Sequence, residues 1–200
     1  GALDLFNPEN TFLEEARIDN EDEVSPDALK VVGKTEEYLR NQATQSQKEL
    51  LEKFFEWTET VKIKNVICQN PTFDANFIRV KARRYDVKLR KVIRGLDPNT
   101  PFHYRAFDLH TVAALRYFEL NGKFLIDGNH SDMGLSNILK MCGMEDTRMK
   151  MKAGKVVKKG NPHNALEDAK LTAECFSRLI NGRSLFTEYS QYKIPEYLAK

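Results

Sequence analysis

The stretch His163-Asn-Ala-Leu-Glu-Asp168 stands at the head of a predicted apolar helix near the C-terminal end of the sequence. The helix is predicted over about 165–180, because apolar residues recur there at helical spacing: Leu166, Ala169, Ala173, Phe176 and Ile180. A histidine just before a helix and a carboxylate in its first two turns can face the same cleft. Such a pair suits an imidazole that takes a proton from water beside a carboxylate that holds a metal ion.

A second informative stretch lies upstream and reads Val66-Ile-Cys-Gln-Asn-Pro-Thr-Phe-Asp-Ala-Asn-Phe-Ile78. Its apolar start predicts a buried strand, Asn70-Pro71 predicts a sharp turn, and a helix is predicted from about Phe73. Asp74 would lie in the first turn of that helix, where the helix dipole favours a carboxylate. The sequence therefore offers a second acidic residue at the start of a helix.

Together the two stretches resemble the second and third motifs of the DEDDh-type 3′–5′ exonucleases. These are the proofreading-subunit, RNase T and oligoribonuclease relatives within the ribonuclease H-like fold. Residues 107–115 resemble the strand-into-helix segment of that family, and residues 134–143 resemble its short helix before the third motif. The resemblance covers about residues 1–181 and implies an α/β domain with a mixed β-sheet flanked by helices. Residues 182–200 are predicted to be a C-terminal tail that packs on this domain.

The first motif of the family, Asp-x-Glu on the first central strand, has no matching segment in this sequence. Residues 1–6 resemble the end of the second strand instead, followed by a turn at 7–10 and a third strand at 11–18. Asp4 is followed by Leu5 and Phe6, so it is not the missing pair. Either a segment precedes Gly1, or the natural protein lacks the first central strand and half of its metal ligands. The first alternative is favoured, because a central strand is hard to remove from a packed sheet.

The resemblance also implies roles for individual residues. Asp74 and Asp168 match acidic metal ligands, and His163 matches the general base, so these three form the expected catalytic set. The implied cofactor is Mg²⁺ or Mn²⁺ at a two-metal site, weakened here by the absence of Asp-x-Glu. Asp108 resembles a position that is usually structural. The expected activity is metal-dependent hydrolysis of phosphodiester bonds from the 3′ end of single-stranded DNA or RNA.

A non-catalytic alternative remains, in which a degenerate exonuclease fold binds nucleic acid or a partner protein. Among protein partners, the resemblance suggests a polymerase or a second copy of the chain. In the family, an apolar residue from the segment matching 28–32 often lies against the terminal base, which makes Leu29 and Val32 candidates, although core packing is the commoner fate of such residues. Asn70 and Phe73, at the start of the second-motif helix, are further candidates for nucleic-acid binding.

The segment 148–159 carries six positive charges and no acid, and it comes directly before His163. A basic segment beside a catalytic cleft would attract a phosphate backbone and give a steep salt dependence. Lys155, Lys158 and Lys159 are the candidates for such contacts. A solvated, mobile lysine-rich loop explains the same composition equally well.

The overall composition sets broad limits. With 200 residues and 41% hydrophobic content, the chain can bury one sizeable core, and its net charge of +2 is too balanced to predict nucleic-acid binding by itself. Cys68, Cys142 and Cys175 are widely spaced and fit neither a disulfide framework nor a zinc site. Buried free thiols indicate a reducing, cytoplasmic location. No apolar run reaches membrane-spanning length, and no secretory signal begins at Gly1.

The remaining pattern alternates helices and strands. Ser25 followed by Pro26 predicts the start of a short helix that ends near Gly33. The other predicted elements are a helix over 46–60, a strand over 61–68, a long basic helix over 73–92, a strand over 104–109 that leads into a helix to about 120, and a loop or small hairpin over 121–130.

Overall fold

The computed structural model describes the backbone of residues 1–90, 97–152 and 155–199, and the side chains of the same residues except 150–152 and 155. The chain is an α/β protein. Its helices are α1 (Pro26–Val32), α2 (Glu36–Leu39), α3 (Gln47–Thr60), α4 (Pro71–Arg84), α5 (Leu109–Asn121), α6 (Leu135–Met141) and α7 (Ala165–Asn181). Its strands are β1 (Ala2–Asp4), β2 (Asn7–Phe12), β3 (Ile67–Cys68), β4 (Phe107–Asp108), β5 (Ile126–Asp127), β6 (His130–Ser131), β7 (Lys150–Lys152) and β8 (Lys155–Lys158).

The described strands form four separate two-stranded sheets rather than the single mixed sheet that the sequence predicts. Three of these sheets are antiparallel hairpins, β1–β2, β5–β6 and β7–β8. The fourth joins β3 and β4 in parallel, with Ile67 opposite Phe107 and Cys68 opposite Asp108. No helix within residues 1–90, 97–152 and 155–199 is long and apolar enough to cross a membrane.

The chain divides into two compact units. The first comprises residues 1–64, 74–104 and 147–168, and the second comprises residues 65–73, 105–146 and 169–200. The core of the first unit centres on one side of α3, where Leu51, Phe54 and Phe55 are buried at helical spacing. Phe12 of β2 meets the Phe54 ring edge-on at a centroid distance of 5.2 Å, so the β1–β2 hairpin closes one side of this core.

Local capping signals explain the first unit's helices. Ser46 and Glu49 form a reciprocal capping box at the start of α3, as the sequence pattern favours. The Ser25 side chain accepts from the amide of Ala28, and Gly33 ends α1 in the left-handed conformation at φ 67°. Both helices are therefore confirmed near the predicted bounds, because their start and stop signals are local.

The second unit is built around the buried residues of α5, α6 and the C-terminal half of α7. Its core includes Leu109, Ile138, Leu139, Cys142 and Cys175, all fully buried. The C-terminal segment joins this core, since Tyr189 and Leu198 are 9% and 2% exposed. The residues predicted to form a tail therefore supply part of the packed interior of this unit.

The predicted turn of the N-terminal hairpin is wrong. The turn lies at Leu5 and Phe6, where an Asp4 carboxylate oxygen accepts from the Phe6 amide at 3.0 Å and so starts the turn earlier. Strand β2 then begins at Asn7 and ends at Phe12, not at residue 18. The side chain of Asn10 accepts a hydrogen bond from Trp57 at 2.9 Å, which anchors the strand on α3.

Three other predicted bounds also change. The strand predicted over 61–68 is reduced to β3, because Lys64 turns back to bond the carbonyls of Thr58 and Val61 at the end of α3. The strand predicted over 104–109 is reduced to β4, and Leu109 already belongs to α5. Helix α4 begins at Pro71 and ends at Arg84, well before residue 92, while the short helix α2 has no counterpart in the sequence prediction.

Candidate active site

The head of α7 positions the predicted His163–Asp168 pair. The side-chain oxygen of Asn164 accepts from the amides of Leu166 at 3.0 Å and Glu167 at 3.2 Å, so Asn164 caps the helix. His163 directly precedes this cap, and the Asp168 amide donates to the Asn164 carbonyl at 2.9 Å in the first turn. The cap therefore fixes the spacing that brings the two side chains together.

The imidazole of His163 is held at both nitrogens. Its Nδ1 lies 3.2 Å from an oxygen of Asp168, and its Nε2 lies 3.0 Å from the backbone carbonyl oxygen of Met149. Both partners are acceptors, and a neutral ring can donate to only one of them. In this arrangement neither ring nitrogen offers a free lone pair to water, although the side chain is 31% exposed.

The carboxylate of Asp168 is likewise held at both oxygens. Arg148 donates to one oxygen at 3.1 Å, and His163 lies at the other. The Arg148 side chain is 13% exposed and that of Asp168 is 29% exposed, so the ion pair is partly shielded from solvent. Arg148 was counted in the sequence only as one charge of a basic run, and no signal in that run indicates its pairing.

Backbone contacts hold the segment that presents Arg148 and Met149. The Met149 amide donates to the Asn161 carbonyl at 2.9 Å, and the Asn161 amide donates to the Thr147 carbonyl at 3.0 Å. A Cβ at Gly160 would lie 2.5 Å from the Thr147 oxygen, so glycine permits this close approach. The segment 147–149 is therefore fixed against 160–161, at the base of the β7–β8 hairpin.

Helix α1 lies beside the same residues. The His163 amide donates to the Val31 carbonyl at 3.2 Å, and α1 also contacts β7. A Cβ built at Gly33, just after α1, would lie 3.0 Å from the Pro162 ring. Leu29 and Val32 are half-buried residues of this helix, and the helix is hydrogen-bonded to the backbone of His163.

The N-terminal residue approaches the head of α7 as well. A Cβ at Gly1 would lie 2.4 Å from the backbone nitrogen of Leu166, so the backbones of the two segments are in close contact. Strand β1 therefore starts beside the first turn of α7, which carries Asp168.

Asp74 lies in the first turn of α4, as the sequence predicts, and its side chain is exposed. Phe73, beside it, is 67% exposed, and Asn70 precedes the helix in the left-handed conformation at φ 60°. These are accessible positions for a ligand, but their predicted contacts with nucleic acid stay predictions.

Asp108 accepts hydrogen bonds at both of its carboxylate oxygens. One oxygen accepts from the amides of Asn70 at 3.0 Å and His110 at 3.1 Å, and the other accepts from the Thr111 hydroxyl at 2.7 Å. Burial alone would raise the pKa of this carboxyl, but the hydrogen bonds from Thr111, Asn70 and His110 outweigh burial and lower the pKa below its ordinary value. Asp108 therefore caps α5 and secures the turn at Asn70.

The basic segment forms the β7–β8 hairpin rather than a loop in its described part. Lys158 is half-buried in β8 and Lys159 is exposed after it. The side chain of Lys155 lies outside the described residues, as do residues 91 and 92 of the predicted basic helix.

A divalent cation needs several carboxylate, imidazole or thiolate ligands around one point. In the part of the chain that the structure describes, no group of three or more His, Cys, Asp or Glu side chains could hold a metal ion. Asp74, His163 and Asp168 are thus not gathered into such a group, and both oxygens of Asp168 already have partners. The described residues do not by themselves fit the two-metal centre that the resemblance implies.

No protein-family model matches the chain, and neither a curated protein nor a solved structure matches it. The roles assigned to His163, Asp168 and Asp74 therefore rest on the sequence resemblance and on the geometry at the head of α7.

Proposed function

We propose that the chain is a ribonuclease H-like domain of a 3′–5′ exonuclease that acts on single-stranded DNA or RNA. The observation that carries this proposal is the contact between His163 and Asp168 at the capped start of α7. The resemblance assigns a general base and a metal ligand to these two positions, and the fold brings their side chains within hydrogen-bond distance. Helix α1, which carries Leu29 and Val32, accepts a hydrogen bond from the backbone amide of the same histidine.

The proposed chemistry assigns each residue a defined task. Asp168 orients the imidazole through Nδ1, so that Nε2 is the nitrogen that would accept a proton from an attacking water. Because Nε2 now faces the Met149 carbonyl, that contact has to open before water can occupy the position. Leu29 and Val32 would support the terminal base, and Lys158 and Lys159 would attract the phosphate backbone.

Among the residues that the structure describes, metal ligation is incomplete. Mg²⁺ prefers carboxylate oxygens, and two cations need more of them than Asp74 and Asp168 provide. We therefore propose that hydrolysis depends on an Asp-x-Glu pair on a first central strand, and that residues 1–200 alone release little or no mononucleotide from a 3′ end. Asp19 and Glu21 have the Asp-x-Glu spacing, but they lie outside any strand and pair with Arg84.

A second candidate is a non-catalytic module that binds nucleic acid or a partner protein. The observation in its favour is that Asp168 is engaged by both Arg148 and His163. A site closed by its own side chains can persist without a metal, and the lysine-rich hairpin could still bind phosphates.

The experiment compares two forms of the protein on labelled single-stranded DNA and RNA, with free and blocked 3′ ends. One form is residues 1–200, and the other carries an Asp-x-Glu segment ahead of Gly1. Mononucleotide release is expected only from the second form, only from a free 3′ end, and only with Mg²⁺ or Mn²⁺. Binding by both forms without cleavage by either would favour the non-catalytic module.

Within the active form, His163→Ala is expected to lower turnover by about 10²–10⁴, the usual contribution of a positioned general base. Substrate affinity should change little, because the imidazole acts on water. His130→Ala, at an exposed histidine of β6, is the matched control and should leave turnover unchanged. Full turnover in His163→Ala would contradict the assignment of the base.

A further inference from the structure

Residues 148 and 149 together engage both functional groups at the head of α7. The Arg148 guanidinium pairs with Asp168, and the Met149 carbonyl oxygen lies against His163. We infer that these two groups form an autoinhibitory latch, which masks the carboxylate and the imidazole until an anion draws Arg148 away. The catalytic consequence of the latch rests on the proposed function, whereas its existence does not.

The two contacts are mechanically coupled, since they come from adjacent residues of one segment. That segment is tied by the hydrogen bonds from Met149 to Asn161 and from Asn161 to Thr147, at the base of the hairpin. Gly160 keeps the two backbones close enough for these bonds. A shift of this segment therefore withdraws the Arg148 guanidinium from Asp168 and the Met149 carbonyl from His163 together.

The natural competitor for Arg148 is a phosphate group. A guanidinium binds phosphate and carboxylate by the same paired hydrogen-bond geometry, so either anion can satisfy it. The contact with Asp168 uses a single terminal nitrogen, Nη1, at 3.1 Å. The basic segment 148–159, which includes this hairpin, would attract phosphates electrostatically.

Partial exposure suits a contact that has to open. Asp168 and His163 are 29% and 31% exposed and Arg148 is 13% exposed, so solvent reaches all three side chains without unfolding of the unit. Local opening of this kind needs only the loss of a few partly exposed contacts. Opening would release one oxygen of Asp168 and the Nε2 of His163 together.

The test measures the reaction of diethyl pyrocarbonate with each histidine of residues 1–200, by mass spectrometry of peptides. The reagent needs a free ring nitrogen, so His163 should react slowly relative to the exposed His130. In Arg148→Gln the His163 rate, normalised to His130, is expected to rise roughly tenfold, since loss of the charged contact favours the open form. Arg183→Gln removes an equal charge from an exposed position and should change nothing.

Arg148→Lys distinguishes lost charge from lost packing, because lysine can still donate to Asp168. Its His163 should remain slow, and amide exchange at Met149 and Asn161 should rise only in Arg148→Gln. In the unsubstituted chain, inorganic phosphate should accelerate the His163 reaction relative to chloride at equal ionic strength, and it should have no such effect in Arg148→Gln. Equal His163 rates in the unsubstituted chain and Arg148→Gln would overturn the latch, and equal rates in phosphate and chloride would overturn phosphate as its opener.

These measurements need neither metal nor hydrolysis. The latch can therefore fail while exonuclease activity is found, and it can stand while the activity assays fail.

Discussion

Two acidic residues of α7 form ion pairs that differ in how far solvent reaches them. Near its start, Asp168 pairs with Arg148 at 3.1 Å, and their side chains are 29% and 13% exposed. Farther along, Glu174 pairs with Arg178 at 2.6 Å, and both side chains are 0% exposed. The Glu174–Arg178 pair is fully shielded from solvent, whereas solvent reaches the Asp168–Arg148 pair. The difference predicts that loss of one partner reduces folding stability more in the buried pair than in the partly exposed pair.

Groups of the second unit form hydrogen bonds with both members of the buried Glu174–Arg178 pair. Arg178 donates to the carbonyls of Cys142, Tyr192 and Tyr189, each at 3.0 Å. Glu174 accepts from the Ser184 hydroxyl at 2.7 Å and from the amides of Leu185 at 2.7 Å and Phe186 at 3.1 Å. Such a network holds the segment 184–192 against α7, with Tyr189 buried in the core of the second unit.

The largest effect is expected from Glu174→Gln. The substitution preserves shape but leaves the guanidinium of Arg178 buried without a counter-charge, which costs about 3–5 kcal/mol of the free energy of unfolding. Urea denaturation at neutral pH measures this loss. The control is Glu188→Gln, which removes an exposed partner of Lys170 and should cost no more than about 0.5 kcal/mol. A loss below about 1 kcal/mol for Glu174→Gln would break the contrast between the two pairs.

Asp22, in the first unit, lies between these extremes at 22% exposure. Burial alone would raise its pKa, but hydrogen bonds from Gln47, the Asp19 amide and Arg84, together with the charge of Lys81, lower the pKa from 3.8 to about 2. Because the pKa is lower in the folded state, the linked stability is present above pH 3.8 and is lost as the pH falls to about 2.

Asp22→Asn should therefore destabilise the protein most at neutral pH. A carboxyl whose pKa falls from 3.8 to about 2 contributes about 2 kcal/mol before solvent screening, and partial exposure reduces the expectation to about 1 kcal/mol. The measurement is unfolding of both proteins by urea across this pH range. The difference should shrink between pH 3.8 and about 2, and a constant difference would assign the effect to packing instead.

Sequence reasoning located elements with local signals and missed those set by tertiary contacts. The start and end of α1 were readable from Ser25 and Gly33, because each signal acts within one turn. The N-terminal turn was misplaced, since the Asp4 side chain competes with the more obvious turn residues after it. Helix α4 was predicted too long, because basic residues continue in the sequence beyond its end. In the structure Asp86 adopts φ 55° and the Val87 amide donates to the Ala82 carbonyl, which ends the helix.

The candidate site divides in the same way. The closeness of His163 and Asp168 follows from their spacing at a helix start, and it was predictable. The pairing of Asp168 with Arg148 joins residues twenty positions apart through the base of a hairpin. No periodicity marks such a contact, so the basic run indicated only charge. The buried network of Glu174 and Arg178 was missed for a similar reason, since i, i+4 charges on a helix usually face solvent.

The smallest stability effect is expected from Arg148→Gln, the direct counterpart of the buried-pair substitution on the same helix. Partly exposed ion pairs contribute little, so the free energy of unfolding should fall by about 0.5 kcal/mol. Thermal and urea unfolding measure this change, and Arg183→Gln is the charge-matched control. A loss near that of Glu174→Gln would make Arg148 a structural residue, because the chain would then depend on the pair for folding. A small loss accompanied by faster modification of His163 would place the effect of Arg148 on access to the site, since the fold persists while the imidazole becomes reachable.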